Sequence, residues 1–376
     1  MNYALKKMRI LLIGDASFVH ATLRRGLAER GHDVVLMSDG NGWHDSPRDI
    51  DLRRDMSRGK LGGLGVVLTL LRNLPRLVGN DVVHIHNYQF VPLMPRWNTL
   101  LLRFLKRFNR CVVKGCYGDD PQVLEMQLKG VPRYSDMYWG GSVRNAVENR
   151  PRLAEQRLPE FVACWRESSL KADALLPCLY EYWLAYDVEP FRGKLRYMPL
   201  PVRIPDVARV KGTGAKVKVL VGVQSKREYM KGATKIAGMV SEVARRHPGR
   251  LDVKYVEDVP YGEYCALLEA CDVLVDQFYS YTPSMNSLAA MARGTVVIGG
   301  GEEEYYRFIG EDVLRPIINV SPEKSFDDNV AAIERALTAP GGVESLSRQS
   351  IEFVRKYHDY RLVAAECERI YSGLLG

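Results

Sequence analysis

The feature that most constrains this chain is an alternation of short β-branched runs with helical segments that stops at one Pro- and Gly-rich stretch and then begins again. The first series opens with RILLIG (9–14), a loop DASFVH, a helical ATLRRGLAERGH and a second run DVVLMS (33–38). Strand, tight Gly turn, helix and strand is the parallel βαβ unit. Further strands are expected at DVVHIHN (81–87), RCVVKGC (110–116), ADALLPC (172–178) and KLRYMPL (194–200). The break is PLPVRIPDVARVKGTGAK (199–216), whose prolines and glycines suit a linker. The pattern then restarts with KVKVLVGV (216–223), a helix around 231–246, LDVKYVE (251–257), a helix near 261–270, CDVLVDQ (271–277), another helix and TVVIGG (295–300). A chain of 376 residues exceeds what one hydrophobic core organises. The expectation is an α/β protein of two Rossmann-like domains facing a cleft. The first domain spans 1–200, a linker 201–215 and the second domain 216–355, with a final helix at 356–376 crossing back onto the first.

Charge and cysteine usage narrow the function classes. Residues 1–200 carry 30 Lys and Arg against 21 Asp and Glu, whereas 201–376 carry 23 against 24. A basic first half next to a neutral second half suggests that the first faces an anionic partner: a membrane surface, a lipid pyrophosphate or nucleic acid. Nucleic acid is disfavoured, because no binding motif and no cluster of aromatics interleaved with Lys and Arg occurs. Seven cysteines without CxxC spacing fit free thiols in a reducing compartment and give no zinc ligand set. The start, MNYALKKMRILLIGDA, reads as a short tail before a strand and not as a signal peptide. LGGLGVVLTLL (61–71) is too short to span a bilayer, which takes about 20 residues. A cytoplasmic protein is expected, with peripheral attachment to the inner membrane face as a further option.

In open α/β sheets ligands bind beyond the carboxyl ends of the strands, so the residues that follow each strand are the candidates. After CDVLVDQ come Tyr281, Thr282, Pro283, Ser284, Met285, Asn286 and a helix ending at Gly294. Thr282 suits an N-cap and Pro283 the first helical position. The free N–H groups of that helix start would suit a diphosphate. An ordinary βα turn has the same look. After KVKVLVGV the segment 222–232 supplies Lys226, Arg227 and Lys231, cations that can neutralise a diphosphate leaving group without a metal ion. Solvated helix-end cations are the plainer reading of these three.

With Lys231-Gly232, the strand CDVLVDQ and AAMARGTVVIGG in matching places, the second half resembles the retaining family 4 glycosyltransferases of GT-B fold, most specifically over 219–305. That family's nucleotide domain reads strand–G–x–R/K…K-G, then a second strand, then E-x7-E. The resemblance implies a nucleoside diphosphate sugar as donor and no separate cofactor or metal. It implies that Arg227 and Lys231 grip the diphosphate together with backbone N–H groups near Ser284 and Met285. Both Glu of E-x7-E are replaced, by Tyr281 and Ala289, so the chain resembles a divergent branch. Asn286 or Ser284 is the stand-in for the ribose contact. The turn Gly299-Gly300-Gly301 followed by Glu302, Glu303 and Glu304 matches the family's Gly-Gly-x-x-Glu turn, with Glu302 placed toward the sugar.

In the first half, Gly14 and Ser17 lie in the loop where the family has its Gly-rich turn. No GxGxxG is present, which argues against a dinucleotide enzyme. Tyr117 takes the place of the family's His, with Asp119 next to it as a possible orienter of an acceptor hydroxyl. Asp120 fits either that role or a helix cap. His84 and His86 alternate along one strand, which fits a functional pair or a core pair equally, and His20 is a further acceptor-side candidate. In 96–110 the residues Trp97, Leu100, Leu101, Phe104, Leu105 and Phe108 form an apolar stripe with a basic back. A core-facing helix is the first reading and a peripheral membrane contact the second. The expected activity is sugar transfer to a glycan or lipid-linked acceptor, with a catalytically inactive nucleotide-binding scaffold as the alternative.

Overall fold

The computed structural model describes residues 7–40 and 45–376. The chain runs through β1 (Arg9–Ile13), α1 (Val19–Glu29), β2 (Asp33–Ser38), β3 (Ile50–Asp51), α2 (Lys60–Arg72), the single turn α3 (Leu74–Leu77), β4 (Val82–Ile85), α4 (Pro95–Phe108) and β5 (Cys111–Cys116). It continues with α5 (Pro121–Leu128), a hairpin of β6 (Tyr138–Trp139) and β7 (Ser142–Val143), α6 (Ala146–Gln156), α7 (Pro159–Lys171), β8 (Ala174–Pro177) and α8 (Tyr180–Tyr186). Six strands form one parallel sheet in the order β3-β2-β1-β4-β5-β8. Ile10 to Ile13 and all of β5 are buried, as expected for strands covered by helices on both faces.

The second series is β9 (Val217–Val223), α9 (Glu228–Lys231), α10 (Ala233–Arg246), β10 (Leu251–Glu257), α11 (Tyr261–Ala270), β11 (Val273–Val275), α12 (Met285–Met291), β12 (Val296–Gly299), α13 (Glu303–Ile309) and β13 (Ile317–Asn319). The helices α14 (Phe326–Thr338), α15 (Gly342–Tyr357) and α16 (Tyr360–Leu375) follow. Its sheet is again parallel, in the order β10-β9-β11-β12-β13. This order places the crevice of a doubly wound sheet beyond β9 and β11, whose exits lead to the cations and to α12.

The chain divides into two compact units that are not simply its two halves. One comprises Met1–Glu125, Pro151–Pro201 and Tyr360–Gly376, the other Met126–Arg150 and Val202–Asp359. The expected first domain of 1–200 therefore gives up 126–150, including the β6–β7 hairpin, to the second unit. The reason is local: Tyr134, Arg133 and Arg144 bury aromatic and polar surface on residues of that unit. Helix α16 packs on α1 within the first unit, where a Cβ on Gly26 would stand 2.6 Å from Ala364 Cβ. Arg30 and His32 both reach Glu368, the latter at 2.9 Å.

Two expected elements differ. KLRYMPL is not a strand: after a 3-10 turn at Arg192–Lys194 it runs beside β8 with a single bridge, Leu175 to Leu195. Pro199 and Pro201 lack the N–H groups needed to continue a ladder. In α4 the buried residues are Pro95, Asn98, Leu102 and Leu105, and of the expected stripe Leu105 is buried, Leu101 and Phe104 pack beside it, and Trp97, Leu100 and Phe108 turn outward. Asn98 turns inward because its amide accepts from Phe90 N and Val91 N at 2.9 and 3.0 Å and donates to Leu93 O at 3.0 Å. This leaves Trp97, Leu100 and Phe108 exposed at 45, 50 and 49%.

Candidate functional site

In the second unit, Lys231 ends α9 and is followed by Gly232 in the left-handed region at φ 67°. A Cβ on Gly232 would lie 2.7 Å from the Tyr279 ring, and Phe278 N donates to Lys231 O at 2.8 Å. The Lys-Gly pair is thus clamped against the exit of β11, which only glycine permits. The Lys231 side chain is half-buried and makes no ion pair among the described residues. Burial pushes its ammonium below the usual lysine value, and nearby Asp276 partly offsets that. Arg227 and Lys226 are exposed on the 3-10 turn after β9.

Asp276 follows β11 directly and is buried. Its carboxylate accepts from Ser284 Oγ at 2.7 Å, from Asn286 Nδ2 at 3.4 Å and from Ser287 Oγ. That network moves the helix start. Ser284, not Thr282, is the N-cap of α12, with Oγ accepting from Ser287 N, and the helix begins at Met285. Thr282 and Pro283 precede it, and the Thr282 side chain is buried while its carbonyl accepts from Ser280 Oγ at 2.6 Å. Asn286 also exchanges hydrogen bonds with Tyr264 Oη at 3.0 to 3.2 Å. The run CDVLVDQ contains Asp276, but the strand ends at Val275, so the first residue beyond its carboxyl end is Asp276 itself.

Tyr281, at the first Glu position of the family pattern, is buried and stacks on Tyr134, with ring centroids 4.6 Å apart. Its hydroxyl accepts from Arg133 N at 3.2 Å. Glu302 is buried too: it accepts from Tyr134 Oη at 2.8 Å and Asn319 Nδ2 at 3.1 Å, while its N–H donates to Tyr281 O at 3.0 Å. Gly300 passes so close to Ser280 that a Cβ would stand 1.9 Å from its carbonyl oxygen. Glu303 pairs with Arg315, and Glu304 pairs with Arg133. Arg144 lays its guanidinium on the Tyr279 ring, 3.0 Å from the centroid, and donates to Tyr229 O at 3.3 Å. The segment 126–150 thus touches the loop after β9 and the turns after β11 and β12. Its sequence has no periodicity, so nothing in it signalled this placement.

In the first unit, Gly14 at φ 76° ends β1, and a Cβ there would lie 1.9 Å from His86 Nδ1. Here a side chain is excluded both by backbone and by contact. A cavity of about 260 Å³ opens at this strand end, lined by Gly14, Asp15, Asp39, His86, Gln89 and the 90–93 loop. His86 Nδ1 has no hydrogen-bond partner, and burial pushes the imidazole down to about 4. It is therefore a neutral ring with a free nitrogen at the cavity. Burial also raises the Asp15 carboxyl, whose Oδ1 accepts from His20 N at 2.9 Å. Ser17, half-buried at φ 51°, stands in the same loop.

Other candidates have a different setting from the one expected. His20 is fully buried beneath the loop, with Nδ1 2.7 Å from Gly14 O. His84 lies in the core, with its ring nitrogens 2.7 and 2.8 Å from the hydroxyls of Tyr371 and Tyr117. Tyr117 is thereby held in the interior, its hydroxyl also 3.3 Å from Met198 Sδ, instead of standing at the strand end. Asp120 is a cap and a core ion: it accepts from Gln122 N and Val123 N at 3.0 Å each and pairs with buried Lys114 at 3.1 Å. Asp119 pairs with Arg152, and its carbonyl accepts from Asn87 Nδ2 at 3.3 Å. The interior claimed His20, His84, Tyr117 and Asp120 because each brought a hydrogen-bonding group that a fixed partner engages, although the buried His20 Nε2 has none.

No protein-family model matches the chain, and no curated protein matches it by sequence. Solved structures do. A sucrose-phosphate synthase from Thermosynechococcus elongatus superposes with a TM-score of 0.61 at 15% identity, over 97% of this chain and 99% of that one. WaaG, a glycosyltransferase involved in lipopolysaccharide biosynthesis, gives 0.59 at 11% identity over 97% and 100%. The catalytic domain of starch synthase IV from Arabidopsis thaliana, bound to ADP and acarbose, gives 0.57 at 10% over 98% and 100%. The fold these chains have in common with this one is the GT-B fold, with two Rossmann-like domains.

Proposed function

We propose that the protein is a glycosyltransferase that moves a sugar from a nucleoside diphosphate sugar to a glycan or lipid-linked acceptor, with retention and without a metal ion. The observation that carries this reading is Lys231, an unpaired, half-buried ammonium fixed at the exit of β11. A desolvated cation without a carboxylate partner is costly unless an anion completes it. Arg227, on the turn after β9, adds a second positive charge, and two cations suit a diphosphate. Solved structures of the same fold include glycosyltransferases, one of them holding ADP.

Charge developing on the departing diphosphate would be met by Lys231 and Arg227. In a retaining transfer of this kind the leaving phosphate takes the acceptor's proton on the same face, so no side-chain base is required. Asn286, in contact with Asp276, is the candidate for the ribose hydroxyls that the missing Glu would hold. The neutral His86 nitrogen and the Asp15 and Asp39 carboxyls at the first unit's cavity are suited to orient a sugar hydroxyl. The reaction would take place in the cytoplasm, in keeping with seven free thiols, six of them buried.

Thermal melts against UDP, GDP, ADP, CMP and NAD, each with and without attached sugars where these exist, test the reading. A nucleotide at 100 times its dissociation constant adds about 2.7 kcal/mol of stability. A shift with a nucleoside diphosphate, followed by sugar transfer in an acceptor screen, supports it. A shift without transfer to any acceptor marks a binding scaffold, and no shift at all removes the donor site.

A further inference from the structure

Helix α2 turns Gly62, Val66 and Leu70 toward the first unit's core. The same hydrophobic cluster receives Leu102 and Leu105 of α4, so both helices cover one face of that sheet and their outer faces look away from it. On α2 the outer positions Leu61, Leu64, Leu68 and Leu71 recur at helical spacing and are 69, 51, 43 and 59% exposed. On α4 the turned-out Trp97, Leu100 and Phe108 add to them, and Met94 is 49% exposed just before. Seven large apolar side chains on two neighbouring outer faces exceed the scattered exposure normal for a soluble surface.

The charge around them has one sign. Residues 56–118 contain ten Lys and Arg and one acid, Asp81. Arg103, Lys106 and Arg110 are paired with Glu167, Asp173 and Asp81. Lys60, Arg72, Arg76, Arg96 and Arg107, at the ends and flanks of the apolar rows, have no ion pair among the described residues. Exposed leucines and an indole bordered by unpaired cations match the interface of an anionic bilayer: acyl chains for the former and lipid phosphates for the latter. No described helix is long and apolar enough to cross a membrane, so the contact is with the surface.

We infer that the outer faces of α2 and α4 form a monotopic docking surface for anionic lipid. Apolar insertion and phosphate pairing both contribute. One-sided chemistry of this kind would hold the first unit's cavity near a lipid-borne acceptor. The inference does not depend on the catalytic reading, since binding to vesicles is measured without turnover.

The test is sedimentation of the whole protein with vesicles of phosphatidylcholine alone and of phosphatidylcholine with phosphatidylglycerol. Binding is expected only to the anionic vesicles and is expected to weaken with salt. Leu64→Ser with Leu68→Ser should lower partitioning roughly tenfold per residue, and Arg96→Gln with Arg107→Gln about fivefold per residue. All four positions are exposed, so circular dichroism should report unchanged folding. Equal binding to neutral vesicles, or none to either, overturns the inference. So does a concentration-dependent dimer that the leucine variants abolish without any vesicle binding, which would assign the face to a second copy of the chain.

Discussion

The Tyr371 hydroxyl lies 2.7 Å from Nδ1 of His84, tying the C-terminal helix to a strand 287 residues earlier in the chain. A neutral imidazole satisfies both neighbours: Nε2–H donates to Tyr117 Oη, whose own proton points to Met198 Sδ, while Nδ1 accepts from Tyr371. Tyr371→Phe leaves a buried nitrogen unpaired. It should cost about 1–3 kcal/mol in chemical denaturation, with the fold retained. A change within a few tenths of a kcal/mol would mean that the bond contributes nothing net.

The same histidine makes stability depend on pH. Burial lowers His84 to about 3 and takes His20 well below the usual histidine value. Above pH 6.5 both are neutral in folded and unfolded chains, and stability is full. Below 6.5 the unfolded chain binds protons that the folded one refuses, so stability falls toward pH 3 by about 1.4 kcal/mol per unit for each such group. At pH 5 His84 alone accounts for about 2 kcal/mol. His84→Gln should flatten the fall between pH 7 and 5, whatever its effect at neutral pH. A melting temperature level across that range in the wild type would contradict this account.

Lys231→Ala should weaken binding of the nucleoside diphosphate about 10- to 100-fold, the worth of a charge-assisted hydrogen bond, measured by calorimetry. If Lys231 meets charge that develops on the leaving group, kcat should fall further, by about 100- to 1000-fold. Lys231→Arg, which keeps the charge, should retain part of the binding. Unchanged binding in the alanine variant would detach Lys231 from the donor.

Asp120 separates a structural role from an acceptor role. Removing one member of the buried Lys114–Asp120 pair strands the other charge, so Asp120→Ala should cost about 3–5 kcal/mol. Nucleotide affinity of the folded protein should stay at the wild-type value. A stable variant with a raised acceptor KM would return Asp120 to the acceptor.

Much of the fold could be read along the chain. The runs at β1, β4, β11 and β12 are almost wholly apolar because parallel strands in the middle of a sheet are buried on both faces, and burial is written directly into composition. Lys231 and Gly232 were legible for a related reason, since the exit of a strand is a fixed place in a doubly wound sheet. The buried histidines were only half legible: alternation put His84 and His86 on one face of a strand. It took the neighbours Tyr117 and Tyr371 to make one a core residue, while the cavity at Gly14 left the other with a free nitrogen.

What the sequence by itself determined is therefore the alternation of elements, the restart after the linker and the positions of the strand exits, all of them set by local periodicity. Only the tertiary structure decided that 126–150 belongs with the second unit, that Ser284 and not Thr282 caps α12, and that Asn98 rolls α4 until Trp97, Leu100 and Phe108 face outward. Each of these turns on a hydrogen bond or a stacked ring between residues far apart or on different elements, and such partners leave no trace in the spacing of either.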